Sequence, residues 1–217
     1  MTQFGIIRIL FVDDHAIVRA GYRALFAKQQ DLQVVAEAAN GNEGYRLYKE
    51  YSPDVVVTDL SLTEQSGLEL ISRIRQRQSD AKILVFSMHQ NPAFAMQACR
   101  AGALGYISKS SPPEVLLDAI RSVNAGRHIL STDIAQALAM EKLGGAGMAL
   151  DSLTSREFEI LRLLVTGNSN EAIAQMLNIS TKTVCNSHYL IKKKLGVSSD
   201  IELTRLALKL EVVNLLD

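Results

Sequence analysis

The stretch IIRILFVDDH, residues 6–15, runs from β-branched apolar residues straight into Asp13 and Asp14. A second run, PDVVVTDL over residues 53–60, ends in the same way on Asp59. A short continuous apolar run reads as a strand buried on both faces of a parallel sheet. In an open α/β sheet the ligand crevice lies beyond the carboxyl ends of the strands, where strand order reverses. Carboxylates that close the first and third strands therefore build an acidic pocket at that switch point. Crowded carboxylates repel, and a hard divalent cation with oxygen ligands offsets them. The pattern points to phosphoryl chemistry with Mg²⁺.

Outward from these two runs, apolar strand-like segments at residues 6–12, 32–38, 55–58, 82–87 and 104–107 alternate with amphipathic ones at 17–28, 42–51, 68–77, 93–100 and 113–124. Five βα units in series predict an α/β doubly wound five-stranded parallel sheet with helices on both faces. Pro112 and Pro113 suit the first turn of the fifth helix. A short helix is expected over 132–143, and Gly144, Gly145 and Gly147 give the clearest linker signal in the chain. From Leu153 onward strand signals stop, and four helices are expected at 155–166, 170–176, 181–195 and 200–210, forming a small all-α domain. Thr154 stands three residues before Glu157, the spacing of a capping box. The expected domains are 1–128, a linker over 129–150, and 151–217.

A chain of 217 residues suits two domains. Lys and Arg number 23, as do Asp and Glu, so zero net charge argues against a protein that coats nucleic acid indiscriminately. Cys99 and Cys185 are far apart with no partner motif, which implies neither a disulfide framework nor a zinc site. No charged-then-apolar leader and no bilayer-length apolar run are evident, so a cytoplasmic protein without membrane partners is expected.

Across residues 6–127 the sequence resembles the flavodoxin-like receiver domain of bacterial two-component response regulators. The matching motifs are FVDDH with Asp13 and Asp14, VVTDLSL with Asp59, ILVFSMH with Ser87, and GALGYISKS with Tyr106 and Lys109. The resemblance implies that Asp59 accepts a phosphoryl group. It also implies that Asp13, Asp14, Asp59 and the Ser61 carbonyl hold Mg²⁺. Ser87 and Lys109 would contact the phosphate, and Tyr106 would act as a rotamer switch, although a strand aromatic in a core reads the same way. Proline usually stands four residues past the acceptor in this family. Here that residue is Thr63, preceded by Leu62, which leaves the loop freer. A phosphatase of the haloacid-dehalogenase pattern would instead need a second Asp two residues after the nucleophile. That position is Ser61, so an enzyme is not expected.

Residues 151–210 resemble the LuxR-type helix-turn-helix of the NarL/FixJ class, through LTSRE at 153–157, Gly167, Ile173-Ala174, Ile179-Ser180, Thr183-Val184 and Lys194-Leu195-Gly196. Such a motif lays its second helix in the major groove. On that helix Val184, Ile191 and Leu195 form an apolar stripe, and Lys182, Cys185, Asn186, Tyr189 and Lys193 share the opposite face. Between Glu171 and Asp200 there is no acid, while Lys182, Lys192, Lys193 and Lys194 make a basic stripe. Lys182, Thr183, Cys185, Asn186, Tyr189, Lys192 and Lys193 are the candidate DNA contacts, with Asn186 the choice for reading adenine. The family usually has lysine at 185 and often histidine at 187. Cys185 and Ser187 depart from that, so target preferences do not carry over. The implied partners are a sensor histidine kinase, double-stranded operator DNA, a second copy of the chain on activation, and RNA polymerase as a further candidate. The implied function is phosphorylation-controlled transcription.

Overall fold

The computed structural model describes residues 5–62, 66–144 and 150–213. Thr63, Gly145 and Gly147 therefore lie outside the described residues. The chain divides into two units, Met1–Gln90 with Ala98–Ile134, and Asn91–Gln97 with Ala135–Asp217.

The first unit holds β1 (Ile7–Val12), α1 (Ala16–Phe26), β2 (Leu32–Ala38), α2 (Gly41–Tyr51), β3 (Val55–Thr58), α3 (Gly67–Arg77) and β4 (Ile83–Ser87). After α4 (Pro92–Ala101), which the division cuts, it continues with β5 (Gly105–Ser108), α5 (Pro113–Asn124) and β6 (Ile129–Leu130). All strands are parallel, in the order β2-β1-β3-β4-β5-β6. The sequence reading anticipated five strands. The sixth is only two residues long, too short for periodicity to register.

Alternation along β1 assigns its residues to opposite faces of the sheet. Ile7, Ile9 and Phe11 join Val55, Val57, Leu84, Phe86 and Ile107 in one core, closed by Phe26 of α1 and by Leu116, Ile120 and Val123 of α5. Leu10, Val12, Val56, Ile83 and Val85 are equally buried, as are Leu70, Ile71 and Ile74 of α3. Both faces are covered, which explains why these strands read as continuous apolar runs.

Register brings the acids together. Val12 sits opposite Thr58, and the Asp59 amide donates to the Val12 carbonyl at 2.9 Å. With β1 next to β3 and β2 on its other side, strand order reverses at this pair, and the crevice opens at their carboxyl ends.

The second unit is helical. Its α7 (Ser155–Val165), α8 (Asn170–Met176), α9 (Thr181–Leu195) and α10 (Asp200–Lys209) follow α6 (Thr132–Gly144) and a 3-10 turn at Leu150–Ser152. Each of α7 to α10 begins on a hydroxyl N-cap: Thr154 in a full capping box, then Ser169, Ser180 and Ser199. Phe158, Leu161, Ile173, Val184, Ile191, Leu203 and Ala207 are all buried. Asn178, at φ 49, takes the left-handed conformation in the tight turn between α8 and α9, a conformation that Asn tolerates better than most residues. Among the described residues no helix is long and apolar enough to cross a membrane.

Candidate functional site

In the first unit, β1 delivers Asp13 and Asp14, β3 delivers Asp59, and β5 leads directly into Lys109. Asp13 and Asp59 are almost fully buried. Lys109 Nζ lies 2.6 Å from Asp13 Oδ2 and 2.7 Å from Asp59 Oδ2. Burial works against the Lys109 ammonium, but the two carboxylates outweigh it and raise its pKa. The second Asp59 oxygen, Oδ1, accepts from the Leu60 amide at 2.6 Å and from the Ser61 amide at 3.4 Å. Both oxygens of Asp59 are thus held in place, which fixes the direction in which the carboxylate faces the crevice.

One ammonium does not balance three carboxylates. Asp13, Asp14, His15 and Asp59 each offer a ligand atom, all within 4.8 Å of one another. Asp14 Oδ1 is buried without a hydrogen bond, and the exposed His15 imidazole approaches it, Nδ1 at 2.8 Å. A surplus of negative charge from three carboxylates, one with a buried oxygen that makes no hydrogen bond, fits a hard divalent cation.

Ser87 ends β4, fully buried, and the His89 amide approaches its Oγ at 3.5 Å. Tyr106 on β5 is fully buried, and its hydroxyl donates to the His89 carbonyl at 2.8 Å. Burial raises the Tyr106 pKa well above its ordinary value, so the hydroxyl stays protonated and able to donate. Ser61 Oγ lies 2.8 Å from His89 Nε2. Asp13, Asp14, Asp59, Ser61, Ser87, Tyr106 and Lys109 therefore gather at one end of the sheet. The sequence reading passed over His15 and His89, although both follow motif residues directly, in DDH and SMH.

In the second unit, α9 carries the other candidates. Val184 and Ile191 are buried and Leu195 is half-buried, while Lys182, Thr183, Cys185, Asn186, Tyr189 and Lys193 are exposed. The Thr183 hydroxyl shares a 2.8 Å hydrogen bond with the capping Ser180. Asn170 Nδ2 approaches Cys185 Sγ at 3.5 Å.

The lysine run is less uniform than its sequence suggests. Lys192 Nζ reaches Asp200 Oδ1 at 3.0 Å, and His188 Nε2 reaches the same oxygen at 2.8 Å. The Lys192 hydrogen bond is the main reason the Asp200 pKa is lowered. Lys194 Nζ contacts both Glu157 oxygens, at 2.8 and 2.5 Å. Burial opposes ionisation of Glu157, but Lys194 and the Thr154 amide and hydroxyl outweigh it and lower its pKa. Acids from outside the run thus occupy two of its four lysines. Lys182 and Lys193 make no ion pair among the described residues.

Two family models match. The response regulator receiver domain covers residues 9–121, and the luxR family of bacterial regulatory proteins covers residues 151–207. The chain is 34% identical over 205 residues to the response regulator UvrY of Escherichia coli K12, covering 94% of each. It is 38% identical over 210 residues to the oxygen regulatory protein NreC of Staphylococcus aureus, covering 93% of this chain and 97% of that one. Among solved structures, RcsB from Salmonella enterica serovar Typhimurium, bound to promoter rprA with the phosphomimetic BeF3⁻, superposes with a TM-score of 0.74. It is 26% identical and covers 93% of this chain and 98% of that one. An acidic pocket at the strand ends, a helix-turn-helix and these matches together place the chain among the NarL/FixJ-class response regulators, transcription regulators rather than enzymes, which join a receiver domain to a LuxR-type DNA-binding domain.

Proposed function

We propose that Asp59 takes a phosphoryl group from the histidine of a sensor kinase, and that this controls dimerisation and operator binding by the C-terminal domain. The observation that carries this reading is the buried Asp59 carboxylate, bound to Lys109 at 2.7 Å beside Asp13 and aimed into the crevice. An Asp59 oxygen attacks phosphorus, the P–N bond to the donor imidazole breaks, and an acyl phosphate forms. Lys109 and Ser87 sit where they would contact the incoming phosphate oxygens. Asp13, Asp14, Asp59 and the Ser61 carbonyl would hold Mg²⁺. When bound, the ion offsets charge on the transferring oxygens.

Residues 1–128 act as the receiver, 129–150 as the linker and 151–217 as the DNA-binding domain. On α9, Lys182, Lys192 and Lys193 serve phosphates. Thr183, Cys185, Asn186 and Tyr189 face the groove, with Asn186 reading sequence. Zero net charge, the absence of a bilayer-length helix among the described residues and a DNA target suit the cytoplasm. RNA polymerase is the partner through which operator binding would reach transcription.

The test is labelling by acetyl phosphate with Mg²⁺, followed by mass spectrometry. Asp59→Asn should abolish labelling because an amide lacks the nucleophilic oxyanion. Undiminished labelling at another residue would sink the acceptor assignment.

A further inference from the structure

We propose that Cys185 and Tyr189 form an apolar pair that reads the 5-methyl group of a thymine, so that the middle of α9 recognises A·T pairs rather than guanine. The inference rests on the reading of α9 as the helix that enters the major groove, and it names the base chemistry which that helix selects. Residues four apart share one face of a helix, with Cβ atoms about 5–6 Å apart. Both side chains are exposed, and Tyr189, a large aromatic residue, keeps 65% of its surface open. The face is fixed from behind, because Val184 and Ile191 are fully buried.

Guanine is read through its O6 and N7 acceptors by an arginine or a lysine. α9 contains no arginine, and its four lysines stand at 182, 192, 193 and 194. Lys192 bonds Asp200, and Lys194 bonds Glu157. Lys182 and Lys193 lie at the two ends of the exposed face, about 16 Å apart along the axis, where they serve phosphates. Between them that face carries Cys185, Asn186 and Tyr189 and no cation. His188 is turned away from it, onto Asp200.

Each of these three has a base group to meet. Asn186 matches adenine N6 and N7. The Cys185 thiol is a small apolar surface with a weak donor and a weak acceptor. Asn170 Nδ2, at the start of α8, approaches Sγ at 3.5 Å, so the weak acceptor already faces a protein donor. What Cys185 offers the groove is therefore soft and apolar. The Tyr189 ring adds a second apolar wall one turn on. Among the groups on the base edges of the major groove, the thymine methyl is the apolar one, and a methyl suits the space between two side chains at that separation.

The experiment uses the full chain under reducing conditions with Mg²⁺ and beryllofluoride. A random-sequence duplex library is selected for binding. The recovered duplex is then resynthesised with each thymine replaced in turn by deoxyuridine, which lacks only the methyl. For the wild type, one thymine per half-site should show a loss of about fourfold, the worth of one buried methyl. Cys185→Ser and Tyr189→Ala should each bind the thymine duplex more weakly and no longer distinguish thymine from uracil at that position, since two changes that remove one contact do not add. Lys193→Ala should keep the thymine preference while losing affinity on every duplex. Thermal melts establish that the variants fold, and Tyr189→Ala decides if Cys185→Ser does not. Absence of any deoxyuridine penalty in the wild type, or a full penalty in the folded variants, overturns the proposal. A library from which no sequence is enriched overturns the reading of α9 as a base-reading helix, an outcome distinct from an enriched duplex that is indifferent to the methyl.

Discussion

Gly67 shows how narrowly the acceptor is held. A Cβ there would lie 2.0 Å from the Asp59 carbonyl oxygen and 2.8 Å from the Leu60 Cα, backbone atoms that cannot rotate away. Gly67→Ala should cost about 2 kcal/mol, as overpacking of a rigid site does, and should slow acetyl phosphate labelling by displacing Asp59. Gly21→Ala is the control. It is exposed in α1, and its added methyl meets nothing within 4 Å. It should stabilise the helix by up to about 1 kcal/mol. Thermal melts of the two variants should therefore move in opposite directions. Lys109 gives a second test. Its side chain is only 7% exposed between two buried carboxylates. Lys109→Met leaves those charges unpaired and should cost about 3–5 kcal/mol, partly restored by Mg²⁺. Asp14→Ala removes one repelling charge and should leave the metal-free melt unchanged or raised. A metal-free melt lowered by Asp14→Ala would assign that residue a structural role instead.

Along α9 the lysines separate by what holds them. Lys193 is exposed and makes no ion pair among the described residues, so Lys193→Ala should weaken all DNA sequences alike. It should reduce the log–log salt slope by about one per half-site. Lys192→Ala should change the slope less, because Asp200 already competes for that ammonium. Lys194→Met should act on stability through Glu157. A carboxylate with a lowered folded pKa contributes stability above its ordinary value, here 4.5, and that contribution is lost as pH falls through the folded value. The acid limb of the stability curve below pH 4.5 should flatten in Lys194→Met, and an unchanged limb would show that Lys194 is not what lowers Glu157. None of this partition was legible in the sequence. Glu157 stands 37 residues before Lys194, and only the fold brings them together. Five of the strands, the Thr154 capping box and the carboxylates that close β1 and β3 were legible because each depends on neighbours one to four residues away. His89 was not, because two of its partners, Ser61 and Tyr106, stand 28 and 17 residues away.

At the scale of the molecule, a chain with no net charge has no general attraction to nucleic acid. On the proposed reading its binding to DNA comes from a few local cations and from pairing two copies on two half-sites. Phosphorylation should therefore act through the monomer–dimer equilibrium. Sedimentation with beryllofluoride should show a raised dimer fraction and, on operator duplexes, binding that steepens with protein concentration. An unchanged monomer population would separate the receiver pocket from assembly. Operator and scrambled duplexes should separate most for the wild-type chain and least for Asn186→Ala, which is expected to lose on the order of 1–3 kcal/mol at the operator alone.

β6 has a mechanical consequence. The Ile129 amide donates to the Leu104 carbonyl at 3.1 Å and the Ser131 amide to the Tyr106 carbonyl at 3.0 Å. Ile129 is seated over Gly105, where any side chain would strike it at 2.8 Å. Parallel strands are joined by evenly spaced bonds. Tension along the strand is therefore shared between both bonds as shear and does not peel them one after the other. The chain leaving β6 into α6 is a tether with a short, stiff anchor, fastened at one end to the peptide of Tyr106 itself.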